Sequence, residues 1–345
     1  MLLLVPVAVG LKLAHQPAAA VFLVAALAVI PLAGLLGRAT EEMAARMGPT
    51  AGGLLNGTLG NAGELIIALL ALKAGQIEVV QASLSGSIVG NLLLVFGLAI
   101  FLGGMGREKQ TFSRLAAGAN VTMLFLAVVA LVVPAVFNLV AFGEVRHKGD
   151  SVERLALWTS VVLVGVYLAS FVMTFRTHRS WFRGEPHGEP TVRASSALVV
   201  LGAATALIVV VSEVLVGAIE EASHTLGLTR LFVGMIVVAI VGNAAEHSTA
   251  IVMARKNQPD AALAIAVGSS TQIALLVAPL LVFASFAFGT PMTLVFHPLE
   301  IAAVVLSVLI IHMVALDGET NWFEGLELLA VYVMLGLAFY YLPQK

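Results

Sequence analysis

Apolar runs of membrane length, separated by breaks of a few residues, fill almost all of this 345-residue chain. Inside hydrocarbon a backbone finds no water, so its N–H and C=O groups must be satisfied within each segment, and the runs are read as helices. The fold class is therefore an all-α polytopic membrane protein. The runs suggest eleven transmembrane helices near 2–14, 18–37, 50–74, 77–103, 112–138, 155–176, 195–222, 228–254, 260–288, 297–315 and 324–342. The opening "MLLLVPVAVGLKLAHQP" lacks the positive n-region of a signal peptide and reads as a membrane segment, shorter than the ~20 residues a span needs.

Composition agrees and narrows the function. Only 11% of residues are charged, against roughly 25% in soluble domains. A net charge of −2 with no basic patch sets nucleic acid aside. The absence of cysteine excludes disulfides, thiolate metal sites and a cysteine nucleophile.

Basic residues favour the cytoplasmic ends of spans. Arg38, Arg46, Arg107, Lys109, Arg114, Arg176, Arg179, Arg183, Arg193, Arg255 and Lys256 follow spans two, four, six and eight. Lys73, Arg146, Lys148, Arg154 and Arg230 lie in the opposite breaks. The N-terminus is accordingly placed in the cytoplasm and the C-terminus outside. The polar stretch "FRTHRSWFRGEPHGEPTVR" divides the chain near its middle. The expected organisation is a leading helix at 1–14, a first repeat at 18–176, a cytoplasmic linker at 177–194 and a second repeat at 195–345.

The two halves match at one offset. Gly60, Asn61, Ala62 and Glu64 lie 182 residues before Gly242, Asn243, Ala244 and Glu246. The same offset carries Gly86 and Ser87 onto Gly268 and Ser269, and "LLV" at 93–95 onto "LLV" at 275–277. Two matched blocks in one register indicate internal duplication. Since the motifs fall in spans three and eight, an odd number of crossings apart, the repeats are inverted. That layout belongs to secondary transporters, which bind substrate near the midplane on broken helices.

A charged side chain at the bilayer centre costs at least ~2.5 kcal/mol, so such groups usually face a polar cavity and serve ions or protons. Asn61 with Glu64, and Asn243 with Glu246, are each three residues apart and share a helix face. Gly60 and Gly242 permit local unwinding that frees carbonyl oxygens. The result is an all-oxygen site suited to a hard cation, with two carboxylates to match a divalent charge. When the cation leaves, the carboxylates repel in low dielectric, and proton uptake relieves the repulsion.

Ser87, Ser269 and Gln272 read either as further ligands or as close helix contacts. His247, next to Glu246, and Glu213, in "VVVSEVLVG", read as proton-pathway residues or as structural pairs. Glu41, Glu42, Glu220 and Glu221 near span ends are solvated, or form an acidic entrance that concentrates cations.

These motifs carry a resemblance. "GRATEEMAARMGPTAGGLLNGTLGNAGELIIALLAL" and "VGMIVVAIVGNAAEHSTAIVMARKNQPDAALAIAVGSSTQIALLVAPLLV" resemble the two α-repeats of the calcium/cation–proton antiporter family, and "DGETNWFEG" resembles its last connecting segment. The GTSxPE-type pattern of sodium-coupled relatives is absent. The resemblance implies one leading helix plus two inverted five-helix repeats, often assembled as a homotrimer. It also implies that Glu64 and Glu246 bind Ca2+ in alternation with H+, helped by Asn61 and Asn243, with Ser87, Ser269 and Gln272 lining the same region. His247 matches the histidine of the family's second motif. The acidic linker helix of many relatives is reduced here to Glu185 and Glu189.

The expected protein is thus a Ca2+/H+ exchanger of a prokaryotic plasma membrane, exporting cytosolic Ca2+ without cofactor or catalytic residues. No nucleotide-binding loop appears, and no nucleophile with a nearby base. The alternatives are a Mn2+ or other divalent cation/H+ exchanger, a Na+/Ca2+ exchanger or a cation channel.

Overall fold

The structure is a computed structural model, which describes residues 2–47, 55, 58–146, 149–177 and 191–343. Its helices are α1 (Leu4–Leu13), α2 (Ala18–Ala44), α3 (Ala62–Lys73), α4 (Ile77–Gly104), α5 (Arg114–Phe142) and α6 (Asp150–Val172). They continue with α7 (Ala194–Leu226), α8 (Arg230–Gly242), α9 (Ala244–Arg255), α10 (Pro259–Ala287), α11 (Pro298–Ala315) and α12 (Trp322–Tyr340). Among the described residues, eight helices are long and apolar enough to cross a membrane, or nine if α8 and α9 count as one interrupted span. α1 has ten residues, about half the length a crossing needs. The start of the third expected span, at 50–54 and 56–57, and most of the linker lie outside the described residues.

Several landmarks repeat at the spacing read from the sequence. α3 and α9 start 182 residues apart and end 182 residues apart. α4 and α10 each contain a π-helical turn, at Gly90–Val95 and Ile273–Val277.

The chain forms two compact units. The first comprises Met1–Ser83, Arg183–Glu246 and Tyr340–Lys345. Its spine is α2 lying along α7. Phe22, Ala25, Val29, Leu32 and Leu36 on α2, and Ala204, Ile208, Val211, Leu215 and Ile219 on α7, recur every three or four residues and are buried. Alanine at several of these positions lets the backbones approach. At one end Glu42 accepts from the backbone N–H groups of Thr191 and Val192, while Arg46 pairs with Glu42 at 3.2 Å. These groups come from the breaks after spans two and six, which the sequence assigns to one side.

The second unit comprises Leu84–Phe182 and His247–Phe339. Glycines let its helices touch. A Cβ on Gly325 of α12 would stand 2.8 Å from Gly97 O of α4, and one on Gly103 would stand 2.7 Å from Ala254 O of α9. At one end, Gln110 donates to Ala254 O at 3.1 Å and the Ser113 N–H donates to Asp260 Oδ1 at 2.6 Å. Two short antiparallel strands close the same end, β1 (Gln110–Thr111) and β2 (Glu319–Thr320). The breaks after spans four and eight thus share one end of this unit, as the sequence expects. The connection from α10 to α11 is not helical yet is packed away, with Met292, Leu294, Val295 and Phe296 all buried.

Candidate cation site

Both GNxxE motifs fold alike within the first unit. Asn61 immediately precedes α3 with φ −91° and ψ 14°, and Asn243 interrupts α8 and α9 with φ −97° and ψ 7°. Each asparagine is thus where the helix breaks and restarts, which is the unwinding the glycines forecast. The restart puts Glu64 and Glu246 in the first turns of α3 and α9, where unpaired N–H groups and the helix dipole favour negative charge.

The motifs also meet. Asn243 Nδ2 donates to Glu64 Oε1, and to Ala239 O at 3.0 Å. A Cβ on Gly242 would lie 2.8 Å from Glu64 Cγ, so glycine there lets the carboxylate of one motif pass the backbone of the other. Asn61 and Asn243 are 3% and 2% exposed. Glu64 Oε2, Glu246 Oε2 and Asn243 Oδ1 are buried oxygens. Among the described residues no three His, Cys, Asp or Glu side chains gather as a metal cluster. The donor set is one of carboxylate and amide oxygens, the chemistry a hard cation takes.

The other candidates are distributed between the units. In the second, Ser87 and Ser269 are buried and Gln272 is half-buried. Ser269 Oγ accepts from Asn91 Nδ2 at 3.0 Å, and Ser270 Oγ donates to Ile88 O at 3.4 Å. Ile88 and Ser270 are themselves 182 residues apart, so α4 and α10 cross where equivalent positions of the two halves touch. His247 Nε2 is buried with no hydrogen-bond partner among the described residues. In the first unit Glu213, Glu41 and Glu221 are exposed on α7, α2 and α7. Glu220, also on α7, pairs with Arg230.

Two polar residues escaped the sequence reading. Asn91 lies in the π-turn of α4, fully buried, and its amide stood out only as the neighbour of Gly90. Glu300 is 2% exposed. It is the fourth residue of the expected span at 297–315, with no counterpart at the 182-residue offset to draw attention to it.

Comparison with known proteins gives the family. The sodium/calcium exchanger protein family matches residues 17–176 and 196–341. The chain belongs to that family. Within the exchanger family, it is 45% identical over 342 residues to the Ca(2+)/H(+) antiporter of Synechocystis sp., covering 94% of this chain and 91% of that one. It is 44% identical to the Ca(2+)/H(+) antiporter ChaA of Bacillus subtilis, covering 98% and 97%. The solved structure of native YfkE superposes with a TM-score of 0.85 at 42% identity, covering 98% of this exchanger and 97% of YfkE. The resemblance drawn from the paired motifs is borne out.

Proposed function

We propose that this protein exchanges Ca2+ for H+ across a membrane by alternating access, exporting cytosolic Ca2+. The observation that carries the reading is the Asn243–Glu64 hydrogen bond, which joins the amide of one motif to the carboxylate of the other. Relatives named Ca(2+)/H(+) antiporters, 44–45% identical over nearly the whole chain, support it.

Glu64 and Glu246 supply the charge that balances a divalent cation, and Asn61 and Asn243 neutral oxygens, with carbonyls freed at Gly60 and Gly242. When the cation leaves, two carboxylates stay behind in low dielectric, and protons take its place. Coupling requires only that these ligands differ in affinity between the inward and outward states. Ser87, Ser269 and Gln272 contribute oxygens on the cation's route. His247, Glu213, Glu41 and Glu221 serve proton and cation access. In this reading α8 and α9 form one broken span, the segments number eleven, and a leading helix precedes two inverted five-helix repeats at 18–176 and 195–345. The N-terminus is cytoplasmic, the membrane is a prokaryotic plasma membrane and the assembly is a homotrimer.

The test is Ca2+ uptake into vesicles of purified protein under an imposed pH gradient, with Na+ gradients and Mn2+ as controls. Uptake that follows the pH gradient supports exchange. Uptake that ignores it, or that follows Na+ instead, overturns proton coupling, and Ca2+ flux down its own gradient without proton movement would identify a channel.

A further inference from the structure

The exchange reading leaves Glu300 unused, although no other Asp or Glu among the described residues is as deeply buried. It is the third residue of α11. Its Oε2 accepts from the His297 N–H at 2.7 Å, and His297 Nδ1 accepts from the Leu299 N–H at 3.2 Å, which closes a capping box. A cap occupies one carboxylate oxygen. The other, Oε1, accepts the hydroxyl of Ser85 on α4 at 2.6 Å, and capping does not explain that bond.

The surroundings of Ser85 give the bond its significance. A cavity of about 20 Å³ lies beside it, walled by Leu84, Ile88, Ala127, Ile273 and Phe296 among other apolar groups. A water held there needs two to four polar partners, and among the described residues Ser85 is the only polar side chain on the wall. The space is therefore apolar and offers Glu300 no water-borne proton route, and the Ser85–Glu300 hydrogen bond is a directional tie on a face of α4 otherwise packed against apolar groups.

Ser85 stands two residues before Ser87 and six before Asn91, which holds Ser269. The tie is also one-sided. At the 182-residue offset Ser85 answers to Val267, and Glu300 to Gly118, so the other half has neither partner.

We propose that Glu300 is a positioning residue for cation transport: through Ser85 it fixes the rotation and depth of the first half of α4, and so the placement of Ser87 and Asn91. The proposal rests on the exchange reading. It is tested on the full chain, purified and reconstituted, as Ser85→Ala, Glu300→Gln and Glu300→Ala. The measurements are melting temperature, equilibrium Ca2+ binding by calorimetry, and the Ca2+ dependence of pH-driven uptake.

Losing the bond in Ser85→Ala raises the half-saturating Ca2+ concentration about tenfold while melting temperature and maximal rate stay near wild type. Glu300→Gln keeps its one oxygen for the His297 N–H while its amide N–H donates to Ser85 Oγ, so the tie survives with its direction reversed and the variant stays within about twofold of wild type. If Glu300→Ala folds, it matches Ser85→Ala, and the double variant is no worse than either single one, as expected of a shared bond. Wild-type Ca2+ binding and uptake in Ser85→Ala would overturn the proposal, as would a loss in Glu300→Gln as large as in Ser85→Ala. A wild-type protein that binds Ca2+ but ignores the pH gradient overturns the exchange reading instead, and calorimetry on the variants still decides the role of Glu300.

Discussion

The two GNxxE motifs share a backbone and part company directly after the glutamate. Each breaks its helix at asparagine with nearly the same dihedral angles, and each restarts as a twelve-residue helix with glutamate in the first turn. After Glu64 come Leu65, Ile66 and Ile67, whereas after Glu246 come His247, Ser248 and Thr249. The two motifs share their oxygens and the helix start that orients them. The side chains beyond the carboxylate have diverged, as expected if both halves hold the cation and only one handles the proton.

The largest effect tests the shared part. Glu64→Gln and Glu246→Gln each remove one of the two charges that the exchange reading sets against a divalent cation, and on that reading each should lower pH-driven Ca2+ uptake by about 100-fold or more, given the strength of charged-group interactions in low dielectric. If either variant keeps substantial uptake, the motifs are not equivalent ligands. A smaller effect tests how they meet. Gly242→Ala would push a methyl group to 2.8 Å from Glu64 Cγ, whereas a Cβ on Gly63 finds only Gly242 O at an ordinary 3.8 Å. Gly242→Ala should weaken Ca2+ binding about tenfold, in line with overpacking, and Gly63→Ala should leave it within about twofold. Calorimetry on the pair reads the difference directly.

The divergent part is tested by making the halves alike. His247→Leu gives the second motif the residue of the first. It should leave equilibrium Ca2+ binding near wild type while slowing pH-driven uptake about tenfold, less than the roughly 100-fold or more that a positioned acid or base contributes to a chemical step. Unchanged uptake would return His247 to a helix contact.

The same contrast marks what a sequence reveals about such a chain. The apolar runs, the helix breaks at Asn61 and Asn243 and the 182-residue match were legible because lipid forces each segment to satisfy its own backbone, and because duplication repeats the spacing. Span limits were less legible. α2 runs on to Ala44 and α7 to Leu226, past the expected ends at 37 and 222, since a helix does not stop where the apolar run does. α7 ends only at Gly227, whose φ of 67° suits a left-handed cap. The π-turns left no trace in periodicity, since one extra residue in a uniformly apolar helix changes no pattern. Glu300 could not be told from a solvated cap, because its burial depends on the non-helical segment before α11 folding into the second unit.

The smallest effect is expected at an exposed ion pair that belongs to neither motif. Lys109 and Glu319 pair at 2.8 Å beside the β1–β2 ribbon, both well exposed. The hydrogen bond and charge of Glu319 raise the Lys109 pKa above its ordinary 10.5. A raised lysine pKa means the pair's contribution is complete below the unfolded value and is lost only as pH rises through the folded one. Lysine stays charged across the neutral range, so this pair should add no pH dependence to the melting temperature between about pH 6 and pH 9. Salt screens an exposed pair as well. Glu319→Gln should therefore melt and exchange nearly like wild type, with the small difference constant across the neutral range, vanishing as pH rises above about 10 and fading as salt is added. A clear loss of exchange at pH 7 would mean that the ribbon joining the breaks after α4 and α11 takes part in the transport cycle, and that the polar chemistry of this chain is not confined to its two motifs.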